Sequence, residues 1–198
     1  MTQVHPEYNE ETISRVYADA NKKIDPKFVN DFTFTLGNIH RYQIICPIGA
    51  GKYSNVFYGK IKKRDDNKIN NDINNSQKCA IKILKFISYQ RIKREICIIS
   101  YLQGIPNVVK LYDTVRDTRS KTYSLITEYD EPTYAPNFYP TLTIDEIRYL
   151  MFNLLLTLDL CHKKGIMHRD VKPGNIIIRP DRKNLFLIDW GLAEFYYP

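Results

Sequence analysis

A break with three prolines at residues 130–142 divides the chain into a strand-rich part and a helix-rich part. Before it, short segments rich in β-branched and aromatic residues are typical of strands: "RYQIICPI", "NVFYGKI", "KCAIKIL", "NVVKLYDTV" and "TYSLITEY". Between the third and fourth of these, "SYQRIKREICIISYL" (88–102) carries Ile92, Ile96 and Ile99 at helical spacing. The pattern predicts an antiparallel sheet of five strands with one helix on one face.

A longer helix is predicted directly after the break. Thr143 and Glu146 have the spacing of a capping box. An apolar series then recurs at steps of three and four residues: Ile147, Met151, Leu154, Leu158 and Cys161. After Gly165, two short strands at 175–178 and 184–188 flank the turn "RPDRKN". The expected fold class is therefore α+β, with a sheet-based lobe followed by the beginning of a helical lobe.

Composition and charge limit the class of protein. The chain has no run of 18 apolar residues, so we expect no transmembrane helix, and the start "MTQVHPEYNEE" is too polar and acidic for a secretory signal. The four cysteines have neither disulfide nor zinc spacing: Cys46, Cys79, Cys97 and Cys161. We expect four reduced core thiols in a cytoplasmic or nuclear protein. The net charge of +7 fits nucleic acid, anionic lipid or acidic proteins as partners, and equally a solvated face.

Two features of the sheet-based lobe point to phosphate binding. Gly49 and Gly51 lie between strands in "IGAGKYSNV" (48–56), where glycine allows a tight turn and close approach to phosphate oxygens. Such a hairpin is common, and the signal is weak by itself. In "AIKIL", strand alternation directs Lys82 to the cleft, and Glu95 on the following helix is a candidate partner that would aim its ammonium at a phosphate.

The most specific pattern is "MHRDVKPGNIII" (167–178). Asp170 can accept a hydroxyl proton, Lys172 can neutralise a transferring phosphoryl group, and Asn175 offers an amide oxygen suited to Mg²⁺. Asp189 follows in "IDWG" directly after an apolar strand, where an unpaired carboxylate would be costly unless it bound a metal ion. We expect Asn175 and Asp189 to share Mg²⁺ across a hairpin.

In order and spacing these motifs resemble the protein kinases, with Ser54 in place of the third loop glycine. The segments "GAGKYSNVF", "IKREI", "GIMHRDVKPGN" and "LIDWGLAEFYYP" narrow the resemblance to the catalytic alpha subunits of casein kinase II, of which Trp190 is a signature. The resemblance implies transfer of the γ-phosphoryl group of ATP to Ser or Thr beside acidic residues. It assigns residues 1–41 to an N-terminal extension, 42–129 to the N-lobe with an Asn-rich loop at 62–78, and 130–198 to a partial C-lobe.

The resemblance also implies site residues and a partner. Asp170 is the catalytic base, Lys172 stabilises the transferring charge, and Lys82, oriented by Glu95, holds the α- and β-phosphates. Nucleotide contacts are expected from Ile48, Gly49, Gly51, Lys52, Ser54, Val56, Ala80, Lys82, Glu128 and Ile177. The family binds a regulatory beta subunit through the outer face of the N-lobe sheet, which here corresponds to Ile44, Phe57, Ile81 and Ile83; ordinary strand packing explains these residues equally well.

Departures from the family pattern lead to further expectations. Thr127 stands where the family has a bulky aromatic residue, and Ala80 and Ile177 replace residues that narrow the adenine slot, so we expect a stronger preference for ATP over GTP. Gly174 replaces a histidine. The family holds acidic substrates with a basic run that is thinned here at 88–94, so we expect acidic selectivity to be weaker or to be carried by residues outside this sequence.

The family pattern also predicts that the chain stops within a kinase domain. The corresponding alternative is a non-catalytic decoy or scaffold that binds nucleotide or the beta subunit. A nucleic-acid-binding module is not favoured, because neither zinc-finger spacing nor a basic-aromatic RNA-binding motif is found in the sequence.

Overall fold

The computed structural model describes residue 20 and residues 27–62, 76–85, 87–130 and 138–196. The predicted N-terminal extension lies largely outside the described residues, as do most of the Asn-rich loop and the first two prolines of the break.

The N-terminal part is an antiparallel five-stranded sheet with strand order β1-β2-β3-β5-β4. The strands are β1 (Tyr42–Ala50), β2 (Ser54–Ile61), β3 (Gln77–Leu84), β4 (Leu111–Arg116) and β5 (Tyr123–Thr127). The predicted sheet is confirmed. The loop predicted over 62–78 overlaps β3 by two residues. The strand expected from residue 107 begins only at Leu111, because Val108 instead bridges Leu187 of the second lobe.

A short helix α1 (Phe28–Asp31) precedes the sheet. Helix α2 (Tyr89–Tyr101) packs against the sheet. The Ser88 hydroxyl caps α2 by accepting a hydrogen bond from the Arg91 N–H. The apolar spacing of α2 directs Ile92 and Ile96 against Leu84 and Leu125 on the inner sheet face, which buries all four side chains.

The outer face of the sheet carries its own apolar cluster. Cys79, Ile81, Val115 and Ile126 are buried there, with Phe57 and Ile83 packed against them. This corrects part of the predicted docking surface, because Ile81 is only 4% exposed and is used in strand packing, whereas Ile44 is 49% exposed. The prediction of four core thiols is wrong for Cys46, which is exposed; Cys79, Cys97 and Cys161 are buried.

Helix α3 (Ile144–Lys163) begins with the predicted capping box, which is confirmed. Its buried residues are Leu150, Leu154, Thr157 and Cys161. Two residues of the predicted apolar stripe, Ile147 and Met151, are exposed at 40% and 48%. Apolar residues cover a wide arc of the helix surface. The spacing of these residues in the sequence does not show which part of that surface packs against the other described elements. None of the described helices combines the length and apolar character that a membrane crossing needs.

Two small antiparallel pairs complete the described fold. Strand β6 (Ile166–Met167) pairs with β9 (Glu194–Phe195), and β7 (Ile176–Ile178) pairs with β8 (Leu185–Leu187). The largest core cluster joins α2 and α3 to these strands and includes Ile98, Leu102, Leu154, Leu187 and Trp190. The ends of the small strands therefore lie beside α2, and the loops between them carry the predicted polar motifs.

Candidate active site

Lys82 is the centre of a three-residue ion network. Strand alternation in β3 places Ile81 in the outer cluster and Lys82 on the side of α2. The Lys82 Nζ atom donates to Glu95 Oε1 and to Asp189 Oδ1, each at 2.7 Å. The Lys82 and Glu95 side chains are 16% and 5% exposed, whereas that of Asp189 is 44% exposed. The network thus runs from a buried acid to a carboxylate that solvent and ligands can reach.

The contacts of the network favour the charged forms of Lys82 and Asp189. Burial by itself would lower the pKa of Lys82, but the charges of Glu95 and Asp189 outweigh burial and raise the pKa above its usual value. Burial would raise the pKa of Asp189, yet the charge and hydrogen bond of Lys82 bring that pKa below the usual aspartate value. At neutral pH Lys82 is therefore an ammonium and Asp189 is a carboxylate.

Backbone conformation directs the Asp189 side chain. Asp189 follows β8 in a left-handed conformation, with φ 63° and ψ 73°, and it caps a short 3₁₀ turn at Trp190–Leu192. A Cβ atom on Gly191 would lie 3.3 Å from both Asp189 Oδ1 and Glu95 Oε2. Glycine at this position lets the turn approach both carboxylates closely.

A second polar cluster lies in the loop between β6 and β7. The Asp170 Oδ2 atom accepts hydrogen bonds from Lys172 Nζ at 2.7 Å and from Asn175 Nδ2 at 2.8 Å. Asn175 Nδ2 also donates to the Asp170 carbonyl at 2.9 Å. The Lys172 hydrogen bond is the main cause of a lowered pKa for Asp170. The Asp170 carboxylate is therefore ionised and oriented, as a proton acceptor requires.

His168 connects the two clusters. Its Nδ1 atom accepts a hydrogen bond from the Asp170 N–H at 3.2 Å, so the proton of the neutral ring must be on Nε2, which lies 3.0 Å from the Ile188 carbonyl. The ring contacts Trp190 edge-on at 4.6 Å between centroids. Burial lowers the pKa of His168, which keeps the ring neutral. The histidine thus fixes the backbone of Asp170 relative to the residue before Asp189.

A cavity of about 310 Å³ lies between the two clusters, within the size range of small-molecule sites. Its lining includes most of the charged predicted site residues: Lys52, Lys82, Glu95, Asp170, Lys172 and Asp189. It also includes Gly51 and Ser54 of the glycine loop. Tyr53 and Arg91 also line the cavity, and neither was predicted to do so from the sequence. The basic run at 88–94 was the feature of the sequence that could have pointed to Arg91. The sequence does not show which way this side chain faces, and the structure places it at the cleft.

The remaining predicted nucleotide contacts lie elsewhere. The lining of this cavity does not include Ile48, Gly49, Val56, Ala80, Glu128 or Ile177. Val56 pairs with Lys82, and Ala80 pairs with Thr127, in the sheet next to the cavity. The Glu128 carboxylate accepts a hydrogen bond from the Lys110 N–H at 2.6 Å. The Glu128 side chain thus fixes the chain just before β4, and any nucleotide contact there would use backbone atoms.

Asn175 and Asp189 have a donor set that fits a magnesium ion. Both hydrogen bonds of the Asn175 side chain use its nitrogen, which leaves the amide oxygen for other ligands. The Ile188 N–H donates a hydrogen bond to the Asn175 carbonyl. This bond joins the backbone of Asn175 to the residue directly before Asp189. Within the described ranges no group of three or more His, Cys, Asp or Glu residues is arranged for a metal. One carboxylate and one amide, with phosphates and water, is a set that Mg²⁺ accepts.

Comparison with known proteins shows the family of the chain. Residues 42–198 match the protein kinase domain family, and the chain belongs to it. The casein kinase II subunit alpha' of Saccharomyces cerevisiae is 44% identical to this chain over 190 residues, which cover 94% of the chain and 53% of the yeast protein. The chain therefore spans about half the length of this relative.

Proposed function

We propose that the protein transfers the γ-phosphoryl group of ATP to serine or threonine in protein substrates, with Mg²⁺ as cofactor. The observation that carries the proposal is the double contact of Lys82 with Glu95 and Asp189 at 2.7 Å, in the same cleft as Asp170 and Lys172. In protein kinases the strand lysine paired with a helix glutamate binds the nucleotide phosphates. The family membership of residues 42–198 supports the same assignment.

The roles of the residues follow from their charges and contacts. Lys82, held by Glu95, binds the α- and β-phosphates, and Asp189 would hold the metal ion. Asp170 accepts the proton of the acceptor hydroxyl, because its carboxylate is ionised. Lys172 lies 2.7 Å from that carboxylate and stabilises charge on the phosphoryl group during transfer. These residues act by positioning and electrostatics, which provide most of the catalysis in phosphoryl transfer.

Asn175 and Asp189 would hold the magnesium ion. A magnesium ion held there would neutralise charge on the phosphates during transfer. The hydrogen bonds from Asn175 Nδ2 to Asp170 keep the amide in one orientation, so that the same residue positions the base and offers its oxygen to the metal.

Acidic residues near the acceptor hydroxyl are the substrate preference that the cleft supports. Lys52, Arg91 and Lys172 line the cavity. The Tyr53 ring lies between two of these cations, 5.2 Å from Lys52 Nζ and 5.8 Å from Arg91 Cζ. Acidic side chains of a substrate would be attracted to this edge of the cleft. We expect Arg91→Gln to lower kcat/KM for an acidic peptide more than for a neutral one.

The proposed nucleotide preference depends on three side chains assigned to the adenine slot. Thr127 stands where the resembled family has a bulky aromatic residue, and Ala80 and Ile177 replace residues that narrow the adenine slot. We propose a roomy adenine slot that favours ATP over GTP. Equal kcat/KM values with the two nucleotides would refute this preference.

A regulatory beta subunit remains a proposed partner. The outer sheet face offers exposed Ile44 and partly buried Phe57, whereas Ile81 belongs to the internal cluster. Loss of beta-subunit capture on Ile44→Asp, with retention on Ile144→Asp in the distant helix α3, would support docking at this face. Equal capture by both variants would refute it.

The test of the proposed function compares the wild-type protein with Asp189→Asn. We expect phosphotransfer from ATP to a serine peptide with acidic neighbours, and a loss of at least about 100-fold in the variant. Adenosine affinity should stay within about threefold, because adenosine has no phosphates. A wild-type protein that binds ATP tightly without phosphotransfer would refute the enzyme proposal and favour the binding or scaffold function.

A further inference from the structure

Two consecutive residues after β5 contact opposite lobes of the molecule. The ring of Tyr129 packs on the ring of Tyr58 in β2, with 4.7 Å between the centroids. The Oδ2 atom of Asp130 lies 2.9 Å from Nε of Arg179, the residue that directly follows β7 in the second lobe. The linker (residues 128–130) is thus joined to the sheet by one side chain and to the β7–β8 hairpin by the next.

The hairpin holds Arg179 in place. Its backbone N–H donates to the Asn184 carbonyl at 2.9 Å and closes the turn between β7 and β8. Its guanidinium lies over the Phe186 ring, with Cζ 4.3 Å from the ring centroid, a contact that attracts the cation to this face. Asp181 also lies within electrostatic reach of Arg179, but its carboxylate accepts two hydrogen bonds from Asn184. Asp130 is the carboxylate that Arg179 contacts directly.

The two contacts of the linker lie beside the two sides of the predicted adenine slot. Tyr58 pairs in the sheet with Ala80, which the sequence assigns to one side of the slot. Phe186, on which Arg179 packs, pairs with Ile177, which the sequence assigns to the other side. The separation of the two sides therefore depends on how the linker is held at each contact.

The Asp130–Arg179 pair is electrostatic. Its two atoms lie within ion-pair distance without the alignment of a hydrogen bond. Both side chains are 36% exposed, so dissolved ions can screen the pair. An exposed ion pair contributes little to global stability. We therefore expect its effect on the position of the linker and not on whether the protein folds.

We propose that Arg179 is a positioning residue for the adenine base. Its ion pair with Asp130 holds the linker against the β7–β8 hairpin, which sets the separation of Ala80 and Ile177. The inference rests on the proposed function, because it takes an adenine nucleotide as the ligand. Arg179 does not line the cavity that contains the phosphate-binding and catalytic candidates, so its effect is on the base and not on the phosphates.

Isothermal titration of adenosine at two salt concentrations tests this role. Adenosine has no net charge, so screening by salt acts on its binding only through the protein. We expect the wild-type protein to lose about two- to fourfold in adenosine affinity between about 0.05 M and 0.5 M NaCl. Arg179→Gln should show this loss already at low salt and no further loss at high salt. A salt dependence that persists in the variant, or equal affinities of variant and wild type at low salt, would overturn the proposal.

The matched control is the same substitution in another ion pair. Arg148→Gln removes an exposed pair with Asp145 on helix α3. This variant should have the wild-type adenosine affinity at both salt concentrations. A loss as large as that of Arg179→Gln would show that the effect is not specific to the linker and would overturn the proposal.

A double variant tests whether Arg179 acts through Asp130. Asp130→Asn should cause the same loss of adenosine affinity as Arg179→Gln, and the two changes together should cause no further loss. Losses that multiply in the double variant would show that the two residues act independently, and the positioning role would be wrong.

Hydrogen exchange without ligand separates this inference from the proposed function. The amides of residues 128–130 should exchange faster in Arg179→Gln than in the wild-type protein, because the linker loses one of its two attachments. Arg148→Gln should leave this exchange unchanged. Unchanged exchange in Arg179→Gln overturns the positioning role even if the wild-type protein binds adenosine and transfers phosphate. A wild-type protein that binds neither adenosine nor ATP would refute the proposed function, and the role in adenine binding with it, whatever the exchange shows.

Discussion

The Lys82 ammonium lies 2.7 Å from the carboxylate of Glu95, a side chain that is 5% exposed. A sheet strand and a helix supply the two charges, thirteen residues apart. Removal of one partner from such a buried pair leaves the other charge without compensation, which costs more than the pair contributes.

We therefore expect Lys82→Met to lower the free energy of unfolding by about 3 kcal/mol, because Glu95 would stay buried without its cation. Urea denaturation followed by Trp190 fluorescence measures the change. The double variant Lys82→Met/Glu95→Gln removes the stranded charge and should recover more than half of the loss. A double variant less stable than the single one would contradict this explanation.

His168 predicts a dependence of stability on pH. Burial lowers its pKa in the folded protein, whereas an unfolded histidine has a pKa of about 6.5. The stabilisation is thus fully present above pH 6.5 and is lost as the pH falls toward the lower folded-state pKa, since only the unfolded state binds the proton. We expect the free energy of unfolding to be about 1 kcal/mol lower at pH 5.5 than at pH 7.

Two histidine variants check the origin of that slope by urea denaturation at both pH values. His168→Gln should remove most of the difference, while His40→Gln, at an exposed position, should retain it. A slope that persists in His168→Gln would assign the effect to other groups.

Two glycines beside the site should differ in their response to alanine. At Gly191 the new Cβ would lie 3.3 Å from both Asp189 Oδ1 and Glu95 Oε2, so these carboxylates must shift. We expect Gly191→Ala to lower stability by about 1 kcal/mol and to weaken the binding of AMP-PNP with Mg²⁺. At Gly174 the Cβ would meet nothing within 4 Å, so Gly174→Ala should change stability by less than about 0.5 kcal/mol. Thermal unfolding and isothermal titration measure both variants, and equal effects would be inconsistent with the steric argument.

The capping box of α3 gives a local prediction. Thr143 Oγ1 accepts from the Glu146 N–H at 3.2 Å, and the Glu146 carboxylate accepts from the Thr143 N–H at 2.7 Å. Thr143→Ala should lower the free energy of unfolding by about 1 kcal/mol, whereas Thr143→Ser keeps the hydroxyl and most of the stability. Urea denaturation compares the two, and a serine variant as unstable as the alanine variant would exclude the cap as the cause.

Local patterns in the sequence determined the elements and the identity of the polar site residues. The five strands, α2 and the capping box of α3 all follow from side chains that are neighbours along the chain. The β7–β8 hairpin is also a local feature, and it lies between Asn175 and Asp189, whose sharing of a metal ion stays a prediction. A strand, a helix or a capping box can be predicted in this way because it is formed by the same neighbouring residues whose pattern predicts it.

The tertiary structure decided what each residue contacts. The sequence predicted a glutamate partner for Lys82, but not its second contact with Asp189, which is 107 residues away. It placed Met151 on the packed stripe of α3 and Cys46 in the core, and both are exposed. The spacing of apolar residues along the sequence predicts which side chains share one face of an element. It does not predict which other element packs against that face. Contacts between distant segments, such as Lys82 with Asp189, form only once the sheet, α2 and the small strands have packed together.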